Sequence, residues 1–258
     1  MMRRRTILIG GAATVAVAAS AAGGYRRAYG GPEPVQPDAP PGDERLEQRQ
    51  SAARGRVVDF YTAVPEGHGD GRGLPVCLVL HGGSKTARDF AGVGLGRFLT
   101  DAVRRGAPPF VLAGATGDRL SWRPSGADDP QRMVREDVPA WCRQRGFDVS
   151  RTVAWGWSMG GYGSLLLAAA FPGWLRAVAA FSPAVSPGDD VFAAAATLRR
   201  LPIGLWCGEQ DGMHDDVRAL ARAVPPVAGS FGAGRHNFGY WSRCIPAAFD
   251  FLARELAR

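Results

Sequence analysis

The sequence predicts an α/β domain built on a mostly parallel central sheet, with helices on both faces. Three observations lead there. Short apolar runs alternate with helix-like segments from about residue 55 to the end, the pattern of strands paired in parallel and buried on both sides. The chain has 258 residues, which suits one large domain or at most two small ones. Of these, 46% are apolar, enough for a sizeable core and too many for a disordered chain.

The elements follow in order. "RVVDFYTAV" and "PVCLVLHGG" read as strands, and "TARDFAGVGLGRFLTDAVRRG" as a helix weakened by glycine in its middle. "PPFVLAGA" is a strand, and "PQRMVREDVPAWCRQRG" a helix that Pro139 should kink or break. "RTVAWGW" is a strand, and "MGGYGSLLLAAAFP" the helix after it, ending near Pro172. "LRAVAAFSPA" and "LPIGLWCGEQD" are strands separated by a short helical piece around "DDVFAAAATLRR". "DDVRALARAV" is a helix, "PPVAGSFGAG" a strand and "WSRCIPAAFDFLARELAR" the closing helix. No internal repeat is present.

Two segments precede this domain. Residues 1–22 have a cationic start, an apolar stretch and then small residues. "RRRTILI" resembles a twin-arginine export signal, so the expectation is an exported, secreted or envelope-associated protein. Cleavage after Ala18, Ala21 or Ala22 fits, with an uncleaved anchor as the alternative and the one route to a membrane. Export should fail when Arg4 and Arg5 are replaced by lysine; unchanged export would exclude that route. Residues 23–54 are rich in proline and charge and read as a linker with a poorly ordered start, leaving 55–258 as the folded domain.

The formal charge of +7 falls to +4 if Arg3, Arg4 and Arg5 leave with the signal. Lys85 is the only lysine, and the arginine excess accompanies abundant alanine, glycine and proline, as codon bias would produce. No basic block is interleaved with aromatics on one helix face, which argues against a nucleic-acid partner. The spacings of Cys77, Cys142, Cys207 and Cys244 match no zinc pattern. They read as buried thiols, with Cys207 and Cys244 the first pair to test for a disulfide.

In parallel sheets, chemistry gathers beyond the carboxyl ends of the strands. Ser158 lies there, in Gly156-Trp157-Ser158-Met159-Gly160, which fits G-x-S-x-G between a strand and a helix. Such a turn strains the serine backbone and excludes a Cβ two positions either side. It also sets the hydroxyl at a helix N-terminus, where unpaired N–H groups favour negative charge. Asp211 follows the strand "IGLWCGEQD", with Glu209, Asp215 and Asp216 as competing acids. His236 lies in "GAGRHNFGYW" between the last strand and the last helix, whereas His68, His81 and His214 lack that combination.

Ser158, Asp211 and His236 stand in the chain order of the α/β-hydrolase fold. A serine hydroxyl attacks well only once a base removes its proton. Histidine does so near neutral pH, and a carboxylate fixes its tautomer. "LVLHGGSKT" supplies a loop of small residues in which the Gly83 N–H, with that of Met159, would bind an oxyanion; Ser84 replaces Gly83 if the loop is shifted by one. His81 reads as a brace for that loop. Trp122, Tyr162, Phe238, Tyr240 and Trp241 are the candidates for a substrate wall, with Trp122 and Phe238 preferred because both sit in loops at the active end. Trp157 reads as packing behind the turn.

With these residues the chain resembles the α/β-hydrolase superfamily. More narrowly, it is similar to the esterase branch that holds feruloyl esterases, esterase D-like enzymes and mycobacterial mycolyltransferases. The likeness is densest in "REDVPAWCRQRGFDVSRTVAWGWSMGGYGSLLLAAAFPGWLRAVAAFSPAV", and "GEQD" and "GRHNFGYW" match the branch's acid and histidine segments. The resemblance implies acyl transfer through a serine ester, on a small-molecule ester substrate, with no metal or organic cofactor. Asp211, in place of the mycolyltransferases' glutamate, and the 24 residues between it and His236 favour hydrolysis. Only residues 185–200 separate "AAFSPA" from "LPIGLW", so at most a minimal lid is expected. The expected activity is that of a serine carboxylesterase on small to medium acyl or aryl esters. The alternatives are a cell-envelope acyltransferase, and a non-catalytic binding protein on the same fold.

Overall fold

The structure, a computed structural model, describes residues 32–258. The export segment read in residues 1–22 lies outside the described residues. Among the described residues, no helix is long and apolar enough to cross a membrane.

Eight strands form one sheet in the order β1-β2-β4-β3-β5-β6-β7-β8. They are β1 (Asp43–Ser51), β2 (Arg56–Val64), β3 (Pro75–Leu80), β4 (Val111–Ala115), β5 (Asp148–Trp157), β6 (Val178–Phe181), β7 (Ile203–Trp206) and β8 (Ala228–Ser230). From β4 to β8 all neighbours pair in parallel, whereas β2 runs antiparallel to both of its neighbours, β1 and β4. The fold is that of an α/β-hydrolase, as the sequence predicts.

Two apolar layers sandwich the sheet, because successive strand side chains point to opposite faces. Val76, Leu78 and Leu80 of β3 join one core. Cys77 and Val79 of the same strand join the other, with Trp155 and Trp157 of β5 and Phe181 of β6. This two-sided burial is why the strands read as continuous apolar runs. Helices α1 (Leu95–Arg104) and α5 (Phe238–Ala257) cover the second layer. Helices α2 (Val138–Gln144), α3 (Met159–Ala170) and α4 (His214–Ala223) cover the first.

Several expectations need correction. The segment 23–54 is not wholly a linker: β1 lies within it and pairs along its full length with β2, from Asp43 opposite Val64 to Ser51 opposite Arg56. Its order comes from backbone pairing rather than apolar burial, so composition does not reveal it. Residues before β1 are also tied down. The Val35 N–H donates to Ser242 Oγ (3.0 Å) and Gln36 Nε2 to the Gly92 carbonyl (3.0 Å). The domain therefore begins well before residue 55. The long helix expected from Thr86 is a single turn, Ala87–Asp89, followed by a break and α1. Gly94 ends the continuity with φ of +81°, a left-handed conformation glycine adopts freely. Pro139 does not end its helix but goes with a disturbance in it: the turn at Pro130–Arg132 runs without a gap through a π turn at Met133–Asp137 into α2. Pro139 then sits in the first turn of α2, where its missing N–H costs nothing.

The lid is minimal: between β6 and β7 the only helices are the single turns Asp190–Ala193 and Ala195–Leu198. All four cysteines are buried free thiols. Burial pushes Cys142 and Cys207 up to about 12 and Cys244 up to about 11, so they stay protonated at neutral pH.

Candidate active site

Ser158 occupies the sharp turn between β5 and α3 with φ of +54°, a strained position for any residue with a Cβ. The two glycines flanking it are explained by space. A Cβ on Gly156 would lie 2.3 Å from the Gly160 carbonyl oxygen, and one on Gly160 would lie 1.9 Å from that of Leu80. The turn is held by its own backbone: the Ser158 N–H donates to the Phe181 carbonyl (2.8 Å), and the Ser158 carbonyl accepts from Tyr162 and Ala184.

The turns after β7 and β8 bring the other two residues to this hydroxyl. Ser158 Oγ lies 2.9 Å from His236 Nε2. His236 Nδ1 lies 2.9 and 3.0 Å from the two carboxylate oxygens of Asp211. A carboxylate can only accept, so Nδ1 carries the hydrogen and Nε2 is left to accept from the serine. Asp211 has no exposed side-chain surface, and its Oδ1 also accepts from the Met213 N–H (2.9 Å). Burial alone would raise the Asp211 pKa. Hydrogen bonding and charge at His236, with the Met213 N–H, outweigh it and hold the carboxyl below its ordinary value. Asp211 alone of the candidate acids is hydrogen-bonded to His236; Glu209 is exposed, and Asp215 and Asp216 sit in the first turn of α4.

The loop after β3 lies against the nucleophile turn. A Cβ on Gly82 would be 2.8 Å from the Trp157 indole and 3.3 Å from Ser158 Cβ, and one on Gly83 would meet the Met159 sulfur at 3.8 Å. The loop closes on itself where the Lys85 N–H donates to the Gly82 carbonyl (3.1 Å). Met159 is the first residue of α3, and the first N–H groups of a helix have no acceptor within it. His81 is fully buried, with Nδ1 2.9 Å from the Gly82 carbonyl and Nε2 accepting from the Gly117 N–H (2.9 Å). Burial pushes its pKa down, keeping the ring neutral and able to make both bonds. The ring therefore ties the loop after β3 to the loop after β4.

These residues border an open cleft of about 880 Å³ lined by Gly82, Gly83, Lys85, Trp157, Ser158 and Asp211, together with Met213, His236, Phe238 and Trp241. Phe238 is in the wall, edge-on to Trp157 and Trp241 at 5.1 and 5.2 Å. Trp122 is not in the wall, contrary to expectation. It is 1% exposed, packs tilted against the His81 ring (5.0 Å) and donates to the His81 carbonyl. The slots it fills exist because Gly117 and Gly163 lack a Cβ: either would meet the indole at 2.5 Å. Tyr162 and Tyr240 are also drawn away, to Arg123 and to the Ser230 carbonyl. Trp157 packs in the core and still shows an edge to the cleft. Sequence reasoning missed Ser182, fully buried just after β6, where its hydroxyl accepts from the Trp241 indole (2.9 Å); a serine after a strand reads simply as a turn residue.

A strained serine between strand and helix, hydrogen-bonded to an imidazole that is itself fixed by a buried carboxylate, defines with this sheet a serine hydrolase of the α/β-hydrolase fold. Residues 51–228 match the family described as "Putative esterase", and the chain belongs to that family. No curated protein matches the sequence. Among solved structures, it is similar to a ferulic acid esterase, with a TM-score of 0.73 at 17% identity over 83% of this chain and 98% of that one. An S-formylglutathione hydrolase from Agrobacterium tumefaciens gives 0.67 at 17% identity over 86% and 98%. Mycobacterium tuberculosis MPT51 (FbpC1) gives 0.66 at 14% identity over 83% and 99%. At these identities the likeness is one of fold.

Proposed function

We propose that the protein is an exported serine carboxylesterase acting on small to medium acyl or aryl esters. The observation that carries this reading is the continuous hydrogen-bond chain from Ser158 Oγ through His236 to buried Asp211, at the floor of an open cleft. His236 Nε2 takes the Ser158 proton as the oxygen attacks the ester carbonyl. The oxyanion is met by the N–H groups of Gly83 and Met159. His236 then protonates the departing alcohol, leaving an acyl group on Ser158. Water attacks that ester with His236 again as base, and the acid departs as Ser158 regains its proton. Asp211 keeps the imidazole in the right tautomer and stabilises its charged form. Trp157, Phe238, Trp241 and Met213 offer apolar and aromatic contact to the acyl or aryl group, and the minimal lid leaves room for small to medium substrates.

The test is a panel of p-nitrophenyl acetate and butyrate with aryl esters, run with and without glycerol or trehalose. Hydrolysis to the free acid is expected, unaltered by either acceptor. Predominant acyl transfer to the added alcohol would make the protein an acyltransferase using the same three residues. Folded protein that turns over none of these esters, and whose Ser158 a fluorophosphonate does not label, would overturn the proposal.

A further inference from the structure

We infer that Trp157 is a specificity-determining residue: its indole N–H, open to the cleft beside Ser158, receives an oxygen carried on the α-carbon of the acyl group. The favoured substrates are esters of α-oxygenated acids, with an ether or carbonyl oxygen there, rather than esters of plain fatty acids. The inference deepens the reading of Ser158 as the nucleophile of an esterase and rests on it.

Two tryptophans line the cleft, Trp157 and Trp241. An indole nitrogen can only donate. Trp241 Nε1 spends its hydrogen on Ser182 Oγ (2.9 Å). Trp157 is only 2% exposed, yet its Nε1 has no acceptor among the described residues. Arg49 Nε and Trp155 Nε1 are the side-chain nitrogens that, among the described residues, are shut away without a partner. Trp157 Nε1 is not one of them, so its hydrogen reaches open space. The opening is the missing side chain of Gly82. A Cβ there would sit 2.8 Å from Trp157 Nε1, 2.9 Å from Cδ1 and 3.3 Å from Ser158 Cβ. The indole edge and the nucleophile therefore flank the same notch.

Both walls of the notch are fixed. The Gly82 carbonyl accepts from the Lys85 N–H (3.1 Å) and lies 2.9 Å from His81 Nδ1. The Trp157 ring stands edge-on to Phe238 and Phe90, at 5.1 and 5.8 Å, and tilted against Trp155 at 5.3 Å. Held so, the N–H cannot turn to another partner and is presented to whatever enters. An apolar chain lying over it would strip its water and leave a donor unpaired, whereas an oxygen would pair it. One donor in an apolar wall selects substrates by that difference. The position of the oxygen follows from Ser158. During turnover the acyl carbon is bonded to Ser158 Oγ, and its own carbonyl oxygen turns to the N–H groups of Gly83 and Met159. An atom that meets the notch must then lie close to the acyl carbon, and an oxygen on the α-carbon does. The charged donor of the cleft, Lys85 Nζ, is already paired with Asp89 Oδ1 (3.1 Å).

The experiment compares p-nitrophenyl methoxyacetate with p-nitrophenyl butyrate, in which a methylene stands in place of the ether oxygen and the chain length is the same. Each kcat/KM is divided by the rate constant of hydroxide hydrolysis of the same ester, which removes the greater intrinsic reactivity of the alkoxy ester. A second pair, 3-methoxypropionate and pentanoate, moves the oxygen one carbon outward. Wild type should prefer methoxyacetate over butyrate by roughly two- to tenfold, the scale of one neutral hydrogen bond. Trp157→Phe keeps an aromatic ring and deletes the N–H, and it should bring the ratio close to one. A general change of activity in the variant cancels in the ratio. The second pair should show no dependence on Trp157. An equal methoxyacetate-to-butyrate ratio in wild type and variant would overturn the inference, even if both esters slowed alike. A Trp157-dependent preference confined to the longer pair would overturn the α-position. If Trp157→Phe does not fold, wild type decides, and a corrected ratio at or below one overturns the inference. Each of these results leaves the esterase reading standing so long as Ser158→Ala abolishes butyrate hydrolysis. Folded wild type that hydrolyses none of the four esters and takes no fluorophosphonate label would remove both.

Discussion

Ser158→Ala should lower the turnover of p-nitrophenyl esters by roughly 10⁴–10⁶-fold while leaving the fold intact. The loss is large because the hydroxyl is the atom to which the acyl group must attach. The remaining acceleration comes from whatever the oxyanion donors and cleft give to a water attacking directly. The fold should survive because the backbone bonds of residue 158 to Phe181, Tyr162 and Ala184 do not involve the hydroxyl. Alanine also brings no new strain to the positive φ, since serine already carries a Cβ there. The measurement is kcat on p-nitrophenyl butyrate beside a thermal melt, with fluorophosphonate labelling as a second readout. Retention of most of the activity by the alanine variant would exclude Ser158 as nucleophile.

Asp211→Asn should cost on the order of 10⁴ in kcat, although it changes one atom of similar size. Asp211 accepts from the His236 Nδ1–H at both oxygens and from the Met213 N–H at Oδ1, so both sides of its carboxylate meet a donor. An amide must turn its NH₂ toward one of them. Turned toward His236, it forces the ring hydrogen onto Nε2, where it faces Ser158 and can no longer take the serine proton. Glu209→Gln and Asp215→Asn should leave kcat near wild type, because neither acid is hydrogen-bonded to His236. A near-normal Asp211→Asn enzyme would show that the imidazole needs no carboxylate at this position.

The convergence of Ser158, Asp211 and His236 was legible in the sequence because Ser158 and Asp211 follow apolar strands and His236 a short glycine-rich one, all at the carboxyl ends of parallel strands, which local composition marks. The Gly82-Gly83 loop was legible for the same reason. Trp122 was misread because its environment is not local. Whether it faces a cleft or a slot depends on Gly117 and on Gly163, forty-one positions downstream of it in sequence. Ser182 could not be found in advance either, since its partner Trp241 comes from α5, fifty-nine positions away in sequence. The first strand was invisible for a further reason. It carries Glu44, Arg45, Glu47 and Arg49, and it is held by ladder bonds to β2 rather than by an apolar face.

That charged strand has a bearing on how the protein behaves at high concentration. A sheet ends in a row of unsatisfied N–H and C=O groups that invites a second molecule to dock, and dense charge is one defence against it. Here β1 occupies that margin, with acidic and basic side chains along it, while the opposite margin is the three-residue β8. A fragment trimmed to residue 51, where the family match begins, would hand the role to β2 with its Phe60, Tyr61 and Val64. Such a fragment would gain a rim whose only charges are Arg56 and Asp59, and should self-associate where the longer chain stays dispersed.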